Sequence, residues 1–126
     1  MTKGTAPNYA DVISAACNIR QHIHPTPLLK SPILDEVVGG RVLIKTETLQ
    51  RTGSFKFRGA FNKISRLATK TGNTNIVAWS SGNHAQAVAA AARVVGLSAE
   101  IFQHYPAITL FLNSKYCSLS MSKLKT

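Results

Sequence analysis

Acidic residues are scarce in this chain. Five Asp and Glu stand against fifteen Lys and Arg in 126 residues, a formal net charge of +10. Such a balance raises nucleic-acid binding as a reading. The charge is spread out, however: between Arg41 and Lys70 there are eight bases and one acid, Glu47. Aromatic residues do not alternate with those bases as a stacking platform would require, so nucleic acid is not the expected partner. Cysteine is also sparse. Cys17 and Cys117 lie far apart and suggest neither a disulfide framework nor a metal site, and a reducing cytoplasm is the expected compartment. His22, His24 and His104 share no metal-ligand spacing, so no metal is expected. No apolar run approaches the roughly 18 residues of a membrane helix, and no membrane partner is expected. The first twenty residues have no apolar core and carry Asp11, so no secretion signal is read there. What remains is 44% hydrophobic and 16% charged, the composition of a globular domain, with no internal repeat.

The chain divides by pattern. Residues 8–24 read as a helix, with Ala10, Ile13, Ala16, Cys17 and Ile23 on one stripe and Asp11 near its positive end. "HPTPLLKS", 24–31, has two prolines two apart and reads as an extended connector. Pro32 to Val38 fits a short helix stopped by Gly39-Gly40. "RVLIKTE", 41–47, alternates like a strand. After the loop "TLQRTG", Phe57, Ala60, Phe61, Ile64, Leu67 and Ala68 recur at helical spacing from Ser54 to about Lys70. Ile76 to Trp79 suits a buried strand, Ser80-Ser81-Gly82-Asn83 a turn, and the alanine-rich stretch from His84 a helix closed by Gly96. "SAEIFQ", 98–103, completes a βαβ unit of a parallel sheet. The residues after Gln103 contain no acid and no glycine, and a short strand at Ile108–Leu112 is the one element read there.

Two loops carry chemistry. In "TGSFKFRGAF" Lys56 sits in the first turn of a helix, where unpaired N–H groups disfavour a cation. That location and nearby Arg58 favour the neutral amine, which is nucleophilic and can form a Schiff base with an aldehyde. A solvated lysine is the plainer alternative. In Ser80-Ser81-Gly82-Asn83-His84 the chain leaves the C-terminal end of a parallel strand and opens a helix. Open α/β sheets place ligands there, and the free helical N–H groups bind carboxylate or phosphate. Gly82 permits close backbone approach, Ser81 offers a hydroxyl and Asn83 an amide. An ordinary helix cap is the alternative. His84 reads as a first-turn structural residue, with proton transfer as its rival role.

Together "TGSFKFRGAFNKI" and "SSGNHAQAVAAAARVVG" resemble the lysine and asparagine loops of fold-type II pyridoxal-phosphate enzymes, the tryptophan synthase beta-like group. "HPTPLLKS" and "LIKTETLQ" match the segments that precede the lysine motif. The resemblance covers residues 8–102 and is nearest to serine/threonine dehydratases, serine racemases and hydroxyaspartate ammonia-lyases. It implies that Lys56 carries pyridoxal 5'-phosphate and moves protons at the substrate Cα, that Phe55 borders the cofactor, and that Asn83 hydrogen-bonds the pyridine 3′-oxygen. It implies that Ser81, Gly82, Asn83 and His84 receive the carboxylate of serine, threonine or hydroxyaspartate. In racemase-like members a serine matching Ser81 is the acid/base on the opposite face.

The fold expected from the resemblance is α/β: a truncated fold-type II pyridoxal-phosphate enzyme. Residues 1–74 would belong to a partial large domain and 75–103 would begin the βαβ unit of the small domain's parallel sheet. Residues 104–126 depart from the family pattern and form a divergent tail of no assigned role, expected to pack poorly. The family's glycine-rich phosphate loop, the serine or cysteine facing the pyridine nitrogen, and the metal site of racemase-like members have no counterpart here. A premature stop, an altered frame or a splice product would each produce such a sequence. Strands near 42–46 and 76–80 are expected to lack neighbours and to expose apolar faces. The alternative to a lyase or racemase is therefore a catalytically inactive fragment or interaction protein, forming a homo-oligomer or pairing with full-length relatives.

Overall fold

A computed structural model describes residues 6–71, 75–103 and 117–121. Helix α1 spans Tyr9–Ile19 and begins with a reciprocal cap. The Asn8 side chain accepts from the Ala10 and Asp11 N–H groups, while Asp11 accepts from the Asn8 N–H at 2.8 Å. Strand β1, Leu28–Lys30, lies in the segment read as a plain connector and pairs antiparallel with β2, Leu43–Lys45. Between them α2 runs over Pro32–Val38, with Pro32 in its first turn and Gly39 in the left-handed region at φ 67°.

Two short 3₁₀ turns, Glu47–Leu49 and Arg51–Gly53, lead into α3, Lys56–Thr71. Phe57, Ala60, Phe61 and Ile64 are its buried face, at the spacing read from the sequence. Strand β3, Ile76–Trp79, helix α4, Asn83–Val94, and strand β4, Ala99–Gln103, form the expected βαβ unit, and β3 and β4 pair in parallel. Helix α4 packs between α3 and the sheet. Its alanines explain how: Ala85, Ala87, Ala89, Ala91 and Ala92 are all buried and let both neighbours approach. One apolar cluster runs from Ile19 of α1 through α3 and α4 to Ile76, Ala99 and Ile101 of the sheet. Burying a side chain such as Phe57 or Ile101 contributes roughly 1.5–3 kcal/mol.

Five residues of the tail fall within the described structure. Cys117–Met121 form β5, which adds to β4 in parallel, with Ala99 opposite Cys117 and Gln103 opposite Met121. The backbone of these five residues is therefore paired with the sheet. The strand expected at Ile108–Leu112 lies outside the described residues. The expectation of lone strands also needs revision, because β2 has β1 and β3 has β4 as neighbours.

Their apolar faces are nevertheless open. Val77 is 64% and Trp79 55% exposed on the side of the sheet away from α4, although parallel sheets are ordinarily covered on both faces. Leu28, Leu29, Leu43 and Ile44 are exposed on the β1–β2 pair. The α1 stripe is likewise uncovered. Only Ile19 of that helix is buried, and Ile13 and Cys17 line a groove of about 350 Å³ with Ile23 and Arg58.

Candidate functional site

The loop before α3 is built by polar side chains from two separate stretches. Gln50 is buried and grips the connector: its Oε1 accepts from the His24 N–H at 2.9 Å, and its Nε2 donates to the His24 carbonyl at 2.8 Å. Glu47 binds three ways. It accepts from Arg58 Nε at 2.7 Å and a second guanidinium nitrogen at 2.8 Å, and from the buried Thr26 hydroxyl at 2.5 Å. Lys45 Nζ donates to the Thr26 carbonyl. Hydrogen bonding from Arg58 holds the Glu47 carboxyl at about 2, with the Thr26 hydroxyl and the Lys45 charge assisting against the opposing effect of burial. The same bond from Glu47 raises Arg58 above its ordinary value.

This pairing corrects the expectation that Arg58 lends its charge to Lys56. Residues two apart on a helix do not face each other. The Arg58 guanidinium is engaged by Glu47 instead.

Between these clamps the backbone turns sharply. Thr52 at φ 62° and Gly53 at φ 65° are consecutive left-handed residues. That conformation suits glycine but strains β-branched threonine. The Thr52 Oγ1 is buried with no hydrogen-bond partner among the described residues. Ser54 is extended and buried, and its hydroxyl accepts from the Lys56 N–H at 3.4 Å. Lys56 is the first residue of α3 and is exposed, with Nζ 4.8 Å from the ring centroid of Phe55, itself 59% exposed.

The second loop is open where the first is tied down. Ser80 leaves β3 with its N–H donating to the Phe102 carbonyl at 2.9 Å. Its hydroxyl accepts from the Gly82 N–H at 3.3 Å. Gly82 is the cap position of α4, and among the described residues no side-chain hydrogen bond caps the helix. The first N–H groups of α4 are thus left for a ligand. A Cβ built on Gly82 would meet nothing within 4 Å, so this side of the loop is open space. Ser81, Gly82, Asn83 and His84 are all exposed.

The structure thus places Lys56 at the start of α3 and Asn83 at the start of α4, two helices packed against each other. Glu47, Gln50 and Thr26 were not among the residues singled out from the sequence. The available signal was Glu47 itself, a single acid among eight bases. Among the described residues no group of three or more His, Cys, Asp or Glu could hold a metal, and no helix is long and apolar enough to cross a membrane.

The pyridoxal-phosphate-dependent enzyme family matches residues 19–112, and the chain belongs to it. Among its relatives is the L-threo-3-hydroxyaspartate ammonia-lyase of a Pseudomonas species, 50% identical over 94 residues, which cover 75% of this chain and 30% of that protein. The L-threonine ammonia-lyase of Thermotoga maritima is 46% identical over 91 residues, 72% of this chain and 23% of that protein. Serine racemase from Dictyostelium discoideum superposes with a TM-score of 0.83 at 34% identity, over 92% of this chain and 39% of that one. The chain therefore spans less than a third of the length of these two curated relatives.

The family's cofactor is pyridoxal phosphate, and the donor set fits one end of it. An exposed amine at a helix start suits the aldehyde, and an exposed aromatic face beside it suits the ring. The uncapped α4 N-terminus, with open space beside Gly82, suits an anionic group. The 126 residues contain no glycine-rich loop for the cofactor's phosphate.

Proposed function

We propose that this chain carries the lysine and substrate-carboxylate loops of a pyridoxal-phosphate-dependent ammonia-lyase or racemase acting on serine, threonine or hydroxyaspartate. The observation that carries the reading is the pair of helix starts. Lys56 offers an exposed amine at one, and Ser81 to His84 leave the other uncapped. When bound, pyridoxal phosphate supplies an electron sink for the pair left at the substrate Cα. This chain's residues do the rest. Lys56 would hold the cofactor through its aldehyde group, with loss of water, and would move the proton at Cα. Phe55 would border the ring, and the Asn83 amide would face its 3′-oxygen. The Ser81, Gly82, Asn83 and His84 segment receives the substrate carboxylate at the positive end of α4. Ser81 is the acid/base on the opposite face if the reaction is racemisation.

In this reading residues 1–74 belong to the larger domain, 75–103 open the smaller one, and the place of action is the cytoplasm. A second reading has a specific observation in its favour. The open faces at Val77, Trp79 and the β1–β2 pair suit a chain that is inactive alone and pairs with another copy or a full-length relative. One experiment tests whether Lys56 holds the cofactor. Pyridoxal phosphate is added to the purified chain and to Lys56→Ala, and visible absorbance and ammonia release from serine and threonine are followed. We expect weak cofactor binding that Lys56→Ala abolishes, and no ammonia release by the 126-residue chain. Equal binding by the variant would remove Lys56 from the cofactor site.

A further inference from the structure

We propose that Glu47 is a positioning residue for Lys56: by gripping Arg58 and Thr26 together it fixes the rotation of the first turn of α3 and so aims the Lys56 amine. The proposal rests on the reading that Lys56 is the cofactor lysine.

Consecutive helical residues project about 100° apart. Phe57 points into the core, fully buried, with its ring stacked on Phe61 at 5.8 Å. Arg58 is held by Glu47 through two hydrogen bonds of 2.7 and 2.8 Å. With residues 57 and 58 fixed in two directions, the Cα–Cβ bond of Lys56 is fixed as well, and its Nζ lies 4.8 Å from the Phe55 ring centroid. Glu47 can act as an anchor because it is itself anchored. The Thr26 hydroxyl binds it from the connector, and Gln50, three residues on, is tied twice to His24.

The loop enclosed by these bonds contains the left-handed Thr52. Such a conformation persists only where its surroundings over-determine it. An ion pair that merely stabilises the fold would act on all of it. The grip described here acts on residues 52–60, and the test separates the two.

The full 126-residue chain is used, with two readouts. Hydrogen–deuterium exchange is compared for the segments 52–60 and 83–94. Borohydride trapping of added pyridoxal phosphate is mapped by mass spectrometry, with exposed Lys63 as the internal reference. In Glu47→Gln we expect exchange over 52–60 to rise about ten-fold with 83–94 unchanged, and the Lys56-to-Lys63 trapping ratio to fall about ten-fold. The near-isosteric Thr26→Val should move both readouts the same way by about three-fold, and it carries the test alone if circular dichroism shows Glu47→Gln unfolded. An unchanged trapping ratio in a folded variant overturns the proposal. So does equal loosening of 52–60 and 83–94, which would make Glu47 a general stabiliser. Absence of trapping at Lys56 in the unmodified chain defeats the cofactor reading instead, and local exchange then decides alone whether Glu47 fixes this turn.

Discussion

The loops that open α3 and α4 are built on opposite plans. Residues 47–58 are tied to the connector by buried or half-buried Thr26, Glu47, Gln50 and Arg58, and they accept a strained threonine within the turn. Residues 81–84 are exposed, uncapped and bordered by open space. The difference follows the work each end does in the proposed function. A group that forms and re-forms a bond must return to one place, so its support is rigid. A segment that receives an anion must leave its N–H groups unpaired, so any internal cap would compete with the ligand.

The contrast can be broken most severely from beneath the first loop. Phe57→Ala removes a fully buried ring that supports α3 beside Lys56, and should cost about 3–5 kcal/mol in a urea melt. A loss below about 1 kcal/mol would mean that the polar clamps alone hold the turn.

Acid acts next. The Glu47 carboxyl titrates at about 2 in the fold against an ordinary 4.5. A depressed folded value means its contribution is complete above the unfolded value and is lost as pH falls. Stability should therefore drop between about pH 4.5 and 2, by about 1–2 kcal/mol after solvent screening of a half-buried pair. Melts at stepped pH test this, and Glu47→Gln should flatten that part of the profile.

The open loop should respond least. Gly82 has φ −133°, a value any residue adopts, and free space beside it. Gly82→Ala should change stability by no more than about 0.5 kcal/mol in the same melts. A loss above 1 kcal/mol would show that the loop is packed rather than open.

Much of this was legible because short-range patterns control it. Pro32 at the start and left-handed Gly39 at the end bounded α2 to the residue. The spacing of Phe57, Phe61 and Ile64 gave the buried face of α3, and the motifs around Lys56 and Asn83 located both loops. What escaped depends on partners distant in sequence. Leu28–Lys30 has a proline just before it and no strand signal of its own, and it is a strand because β2 pairs with it. The bond from Thr26 to Glu47 spans 21 positions and follows no period. At Cys117, Leu119 and Met121 a two-residue alternation with serines was present, hidden by aperiodic flanks. Arg58 has its charge partner in Glu47, eleven positions earlier, which its closeness in sequence to Lys56 does not reveal.

The single tryptophan of the chain, Trp79, ends β3 immediately before Ser80. It is 55% exposed and lies 6.4 Å from Phe102 in a near-parallel stack. Indole emission depends on the polarity around the ring, so the molecule carries its own optical probe two residues from the segment proposed to receive the substrate. With no second tryptophan to dilute it, a change in indole emission on adding an amino acid originates at the carboxyl end of that strand.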